Sequence, residues 1–274
     1  MLDNINDISE AFDSFISDLV EDNVVYCEIR TTLREIPTIN EHLMALYGVI
    51  KGNSFVQDEK IKVKLIPSID RGRGISRAFP IRDSLLECYP RCNDVIVGID
   101  LSGNPKLGRL KEYSSIMNDL QSNGIKTTVH LAELEENPED WIDFLKLHTP
   151  DRIGHGTFLY KHKDYSADSR LVFNKILQNK IPLEICLTSN LLTKSVDKLE
   201  NHHFLNWYFE LNHPVCICTD DKGIMETTLT RELQLCHEHY KMPVEEIASL
   251  QENTKAYIFA SCEFKEGLFK SNNK

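Results

Sequence analysis

No apolar run in the sequence approaches the roughly 18 consecutive residues of a membrane-spanning helix. The segment from Met1 to Glu10 is acidic and lacks the basic and apolar regions of a signal peptide. None of the eight cysteines forms a C-x-x-C pair. Cys27, Cys186, Cys216 and Cys218 lie inside apolar runs, where a thiol acts as a small hydrophobe; the others are Cys88, Cys92, Cys236 and Cys262. A reduced, cytoplasmic chain is the expectation. Basic excess is missing too: 31 Lys and Arg stand against 42 Asp and Glu, for a net charge of -11 and a pI near 5.4. That balance argues against a general nucleic-acid or anionic-membrane surface, although it leaves room for a local phosphate site. Glycine-rich phosphate loops, flexible linkers, internal repeats and low-complexity segments are also lacking. What is present is a 274-residue chain, 41% hydrophobic and 27% charged, with mean hydropathy of -0.32. It has enough apolar material for a sizeable core, and its length suits one α/β barrel of about 250 residues over residues 1–274.

Short β-branched apolar runs recur at Val24–Ile29, Ile61–Ile66, Asp94–Ile99, Lys126–Val129, Asp151–Gly154, Ile181–Cys186 and Val215–Cys218. Continuous runs of this length suit parallel strands covered on both faces. Between them lie helical spacings: Leu110, Ile116, Met117 and Leu120; Trp141, Phe144, Leu145 and His148; Leu171, Val172, Lys175 and Ile176. Thr228–Tyr240 and Val244–Phe259, the latter after Pro243, extend the pattern. Alternating strand and helix predict an α/β fold with a parallel sheet, a (β/α)8 TIM-type barrel. Only seven strands are found, so the expectation is a barrel lacking its first strand.

Polar residues gather just after these strands, at Glu28–Thr32, Ser68–Arg71, Asp100–Gly103, His130–Glu133, Gly154–Gly156, Thr188–Asn190 and Thr219–Asp221. In a barrel such positions converge on the C-terminal rim, where catalytic groups sit. A single cluster reads equally well as a helix cap; seven in register do not. The ordered set Gly-Ile-Asp-Leu-Ser-Gly (98–103), Thr-Val-His-Leu-Ala-Glu (128–133), Asp-Arg-Ile-Gly-His-Gly (151–156), Cys-Leu-Thr-Ser-Asn (186–190) and Cys-Thr-Asp-Asp (218–221) resembles the adenosine deaminase family of metal-dependent hydrolases, from about Val24 to about Ala260. Cys-Leu-Thr-Ser-Asn, Asp-Asp-Lys-Gly (220–223) and Glu-Ile-Arg-Thr-Thr-Leu-Arg (28–34) are most similar to its N6-methyl-AMP deaminase-like branch. Leu187 stands where adenosine deaminases proper usually carry proline, and Leu33 where the branch commonly does.

The resemblance implies hydrolytic removal of the C6 amine from N6-methyl-AMP or a related N6-substituted AMP, giving IMP and an amine. It implies one Zn2+ per chain, because a zinc ion lowers the pKa of water to about 7. His130 and Asp220 would be metal ligands. Glu133 would protonate ring nitrogen N1, which calls for a carboxyl kept protonated by its surroundings, and His155 would orient and deprotonate the attacking water. Asp221 would hydrogen-bond the purine, and the Gly103 backbone would approach the ring. Thr31, Thr32, Leu33 and Arg34, with Asp70, would contact the nucleotide, the hydroxyls and guanidinium serving its phosphate. Without the resemblance, His130 reads as a packed core histidine, Glu133 as a helix-dipole partner and the Thr31–Arg34 loop as solvated surface.

The family's first strand ends in His-x-His and supplies two further zinc ligands. Nothing before Val24 matches it, so the expectation is an N-terminally incomplete barrel with a helical lead-in over 1–23, its apolar face formed by Ile8, Phe12, Phe15, Ile16 and Leu19. Two protein ligands would hold zinc weakly, where a catalytic site normally has at least three. His237-Glu-His239 falls inside a predicted helix and misses the H-E-x-x-H pattern, and the deaminase signature H-x-E with P-C-x-x-C is absent. His202 and His203 read as a surface or lid segment. The expected partner is a small purine nucleotide, with no nucleic acid or membrane, and the expected state a monomer. A catalytically inactive purine-nucleotide binding protein, an adenosine deaminase, and another metal-dependent hydrolase on the same barrel are the competing readings.

Overall fold

The computed structural model describes residues 4–260; Met1–Asp3 and Cys262 lie outside the described residues. Seven strands are present: β1 Tyr26–Thr32, β2 Lys62–Asp70, β3 Gly98–Ser102, β4 Lys126–Leu131, β5 Arg152–His155, β6 Leu183–Ile185 and β7 Val215–Ile217. Strand order follows the sequence, and β1/β2, β2/β3, β5/β6 and β6/β7 are all parallel. All seven expected strands are found, with shifted ends. β1 runs on through Arg30, Thr31 and Thr32, which pair with Ile66, Pro67 and Ser68. β3 begins at Gly98, and upstream of it only an isolated Leu65–Ile96 bridge forms. Ladder hydrogen bonds use the main chain, so polar side chains at a strand's end do not stop it.

The chain divides into two compact units at Thr128/Val129. In the first, α1 (Ile5–Glu21) is capped by Asn4, whose side chain accepts the Asp7 N–H, and its buried stripe is Ile8, Ile16 and Leu19. Phe12 and Phe15, expected on that face, are half-buried. α1 packs on α2 (Ile39–Gly52), which buries Leu43, Leu46 and Ile50. Each such side chain contributes about 1.5–3 kcal/mol when fully buried. A short α3 (Ser54–Gln57) precedes β2, and α4 (Ile75–Cys92) and α5 (Ser114–Ser122) follow β2 and β3. α4 runs through Pro80 and Pro90, residues that mask a helix in the sequence because each removes a backbone donor.

The second unit holds α6 (Glu139–Leu147), α7 (Ala167–Gln178), α8 (Leu187–Leu192), α9 (Leu229–Tyr240) and α10 (Val244–Thr254). α6 buries Trp141, Phe144 and Leu145. Ser166 and Ser169 form a capping box at the start of α7. Pro243 is the N-cap of α10, which ends at Thr254, short of the expected Phe259. A buried ion pair joins β5 to β6: Arg152 Nε lies 2.8 Å from Glu184 Oε1. The same guanidinium donates to the Tyr257 carbonyl (3.1 Å) and lies over the Phe259 ring. Among the described residues no helix is long and apolar enough to cross a membrane.

Candidate active site

The second unit gathers the chemistry. His130 stands on β4, His155 ends β5, and Asp220 follows β7. Each offers one ligand atom, and the three atoms lie within 4.8 Å of one another. The His130 and His155 rings meet edge-on with centroids 5.1 Å apart. His155 Nε2 is 3.7 Å from Asp220 Oδ2 and 4.0 Å from Glu133 Oε2. A Cβ on Gly154 would come within 3.2 Å of the His130 ring, so a residue without one lets β5 approach the imidazole.

The backbone here is unusual. Ala132, His155 and Asp220 all have positive φ, at 50°, 57° and 55°. Left-handed non-glycine residues cost about 1–3 kcal/mol each and persist where surrounding bonds over-determine them. Those bonds are visible: the Gly156 N–H donates to the Leu131 carbonyl (3.1 Å) and the Phe158 N–H to the Ala132 carbonyl (3.0 Å). At Asp220 the side chain is held instead, with the Ser189 hydroxyl donating to Oδ2 at 2.6 Å.

Electrostatics fit a metal-binding cluster. His155 is 6% exposed, and burial, then the neighbouring His130, lower its pKa below the usual histidine value. The ring is therefore neutral at pH 7, the form that coordinates metal or accepts a proton. Desolvation, then the adjacent Asp220 carboxylate, raise the Asp221 carboxyl above its ordinary range. The His155 Nδ1 is buried without a hydrogen-bond partner among the described residues. Two imidazoles and a carboxylate are a donor set that zinc accepts. Tetrahedral ligands at about 2.0–2.1 Å from zinc sit about 3.4 Å apart, so the cluster needs only a small contraction. The residues fit the group.

In the first unit, Asp70 and Gly103 are neighbours. Gly103 has φ of 101°, and a Cβ there would fall 2.1 Å from Asp70 Oδ1. Asp70 caps the turn that follows β2, accepting the Gly72 N–H (2.9 Å) and pairing with Arg73 (3.1 Å). Thr31 and Thr32 lie on β1, Leu33 is 2% exposed, and the Arg34 N–H donates to His42 Nδ1 (3.0 Å).

The adenosine deaminase family model matches residues 2–272. The chain belongs to the adenosine deaminase family. A bovine N6-methyl-AMP deaminase is 35% identical over 258 residues, spanning 93% of this chain and 72% of that one. The family and this relative mark the chain as a hydrolase of the deaminase type. An Arabidopsis ADAL complexed with IMP superposes with a TM-score of 0.83 at 30% identity, over 97% of this chain and 76% of that one. An amidohydrolase from Burkhoderia ambifaria with bound Zn gives a TM-score of 0.81 at 17% identity, over 99% of this chain and 73% of that chain, a likeness of fold alone. The seven-stranded parallel sheet with its helices is the α/β fold expected, a TIM-type barrel lacking its first strand, and the solved structures it resembles share that fold.

One expectation is overturned. His202 and His203 are neither surface nor lid: they are 1% and 4% exposed. The apolar residues that follow, Phe204 and Trp207, are themselves buried and carry the pair inward. Each imidazole has a hydrogen-bond partner there, which is what makes burial affordable. His237 and His239 lie in α9 as expected, with His237 Nδ1 2.8 Å from the Met242 carbonyl oxygen. Ser189 and Asn190 close the Cys-Leu-Thr-Ser-Asn segment, and the sequence gives them no role of their own; their partners, Asp220 and His202, come from other segments that no local pattern reveals.

Proposed function

We propose that the chain is a zinc-dependent deaminase of N6-methyl-AMP or a related N6-substituted AMP, adding water at C6 and releasing IMP and an amine. The observation that carries this reading is the convergence of His130, His155 and Asp220 on one point beside Glu133 and Asp221. The bovine N6-methyl-AMP deaminase and the ADAL complexed with IMP support the choice of nucleotide. The amidohydrolase of like fold with bound Zn supports the choice of metal.

His130 and Asp220 would hold one zinc ion, which would supply Lewis-acid activation of water, while His155 beside them keeps its ring lone pair free. His155, neutral and buried, accepts a proton from the attacking water, and the oxygen electron pair so freed forms the bond to C6. Glu133 delivers a proton to N1 as C6 becomes tetrahedral; as the C6–N bond breaks, the departing amine takes the proton that His155 gained, and the C6 hydroxyl returns a proton to Glu133 to leave the carbonyl of IMP. Ser189 keeps the Asp220 carboxylate turned toward the cluster. Asp221 hydrogen-bonds the purine. On the motif resemblance alone, Gly103, Thr31, Thr32, Leu33, Arg34 and Asp70 are assigned to the nucleotide. The chain is proposed to act as a monomer in the cytoplasm; the seven described cysteines are free thiols.

The test measures metal content and turnover together. The purified chain should take up one zinc and release methylamine from N6-methyl-AMP faster than it releases ammonia from adenosine. Nucleotide binding without zinc would make it an inactive binding protein, and faster adenosine turnover would overturn the nucleotide assignment.

A further inference from the structure

The buried pair His202–His203 touches the candidate active site from behind. The two rings stack with centroids 4.3 Å apart and planes 21° from parallel. His202 Nδ1 accepts the Phe204 N–H at 3.0 Å, so its proton is on Nε2, which donates to Asn190 Oδ1 at 3.0 Å. His203 Nε2 lies 3.0 Å from the His155 carbonyl oxygen. A carbonyl only accepts, so His203 also carries its proton on Nε2. Its Nδ1 is buried without a hydrogen-bond partner among the described residues. The hydrogen-bonding nitrogen of each ring is therefore assigned.

The carbonyl that His203 holds belongs to the left-handed residue His155, φ 57°. A rotation of that peptide toward ordinary extended geometry would carry the carbonyl away from His203 and swing the imidazole relative to His130 and Asp220. We propose that His203 is a positioning residue for the deamination, pinning the His155 main chain so that its imidazole stays on the His130–Asp220 cluster. His202 and Asn190 fix the plane of the His203 ring, and Asn190 adjoins Ser189, which holds Asp220. One short segment, α8, thus steadies both a metal-capable carboxylate and, through the stacked pair, the imidazole facing it. The catalytic side of this inference rests on His155 acting as the base.

Three substitutions in the full chain test it. His203→Leu removes the donor at similar volume. His203→Gln places an amide N–H near the position of Nε2, whereas the shorter His203→Asn mimics Nδ1 and cannot reach the carbonyl. The first readout is amide hydrogen exchange of the 155–158 segment in metal-free protein, which needs no activity. The second is kcat and KM for N6-methyl-AMP after zinc loading. With Leu and Asn, exchange should speed up about tenfold and kcat fall about tenfold, the loss of one buried hydrogen bond, while KM stays within about twofold. Gln should restore both to within about threefold of wild type. Wild-type exchange in the Leu variant, or equal kcat for Gln and Asn, would overturn the proposal. If the Leu variant fails to fold, the Gln–Asn comparison decides. A wild-type chain that releases no methylamine would sink the deaminase reading, while the exchange arms would still report whether His203 pins His155.

Discussion

Gly103→Ala isolates a single atom. At φ 101° an alanine carries backbone strain of about 1–3 kcal/mol. Its Cβ would also lie 2.1 Å from Asp70 Oδ1 and 3.1 Å from the Arg71 backbone nitrogen. The carboxylate can turn away, but it then loses the Gly72 N–H, at about 1 kcal/mol for a partly exposed charged acceptor. The Arg71 main chain has less freedom, because its carbonyl accepts the buried Tyr113 hydroxyl at 3.0 Å. The sum is about 2–4 kcal/mol, a large share of the roughly 5–15 kcal/mol that holds a domain folded. Urea denaturation at unchanged m-value measures it. Asp70→Ala in the same chain removes the atom that clashes, so the double variant should recover about 1 kcal/mol relative to the sum of the singles. Gly103→Ala within about 0.5 kcal/mol of wild type would refute the strain argument. Strict additivity of the pair would refute the Asp70 clash while leaving the backbone term in place.

Three more outcomes are expected. Glu133→Gln should lower kcat at least about 100-fold while nucleotide affinity measured by calorimetry changes little, because the amide cannot give up the proton N1 requires; retained turnover would remove Glu133 from its role. Burial of His148 lowers its pKa from 6.5 to about 4. Between those values the unfolded chain binds the proton that the folded chain refuses, so the stability is complete above about pH 6.5 and is lost as pH falls toward 4. Unfolding free energies from urea at pH 7.5 and 5.0 should therefore differ by about 2 kcal/mol less in His148→Leu than in wild type, and an unchanged pH dependence would contradict the burial account. Arg152→Met leaves the buried Glu184 without its guanidinium and should cost about 3–5 kcal/mol in chemical denaturation, whereas Arg152→Met combined with Glu184→Leu should cost less than the single change; equal losses would show that the ion pair is not what the site depends on.

Strands were legible because both faces of most of them are covered, as the burial of Val63 and of Leu65 to Ile69 in β2 shows. Their ends were harder to place for the same reason that they matter. Arg30, Thr31 and Thr32 continue the β1 ladder although their side chains look like loop residues. α4 was hidden by Pro80 and Pro90. Within the site, His130, His155 and Asp220 were recoverable from motif order, since each closes or follows a strand. His155 as a third donor was not: its nearness to Asp220 depends on three left-handed residues, and φ is not written in residue type for alanine, histidine or aspartate. The His202–His203 pair was misplaced because two adjacent polar residues look solvated unless their partners, Asn190 and the His155 carbonyl, are known.

The left-handed positions explain how the site can be both strained and well defined. Glycine at Ala132 would relieve φ of 50° in the folded chain, yet it would also loosen the unfolded one by a comparable amount, so stability alone gives little reason to change it. At His155 and Asp220 glycine is excluded, because the imidazole and carboxylate are the groups the cluster is made of. The strain at these two positions must then be offset by contacts that tie their loops to other segments. Those contacts are the Gly156 and Phe158 amides reaching the end of β4, the Ser189 hydroxyl on Asp220, and the His203 imidazole on the His155 carbonyl. On the proposed deaminase reading, Gly156, Phe158, Ser189 and His203 set where His155 and Asp220 stand, and loosening any one of them should lower kcat before it lowers affinity.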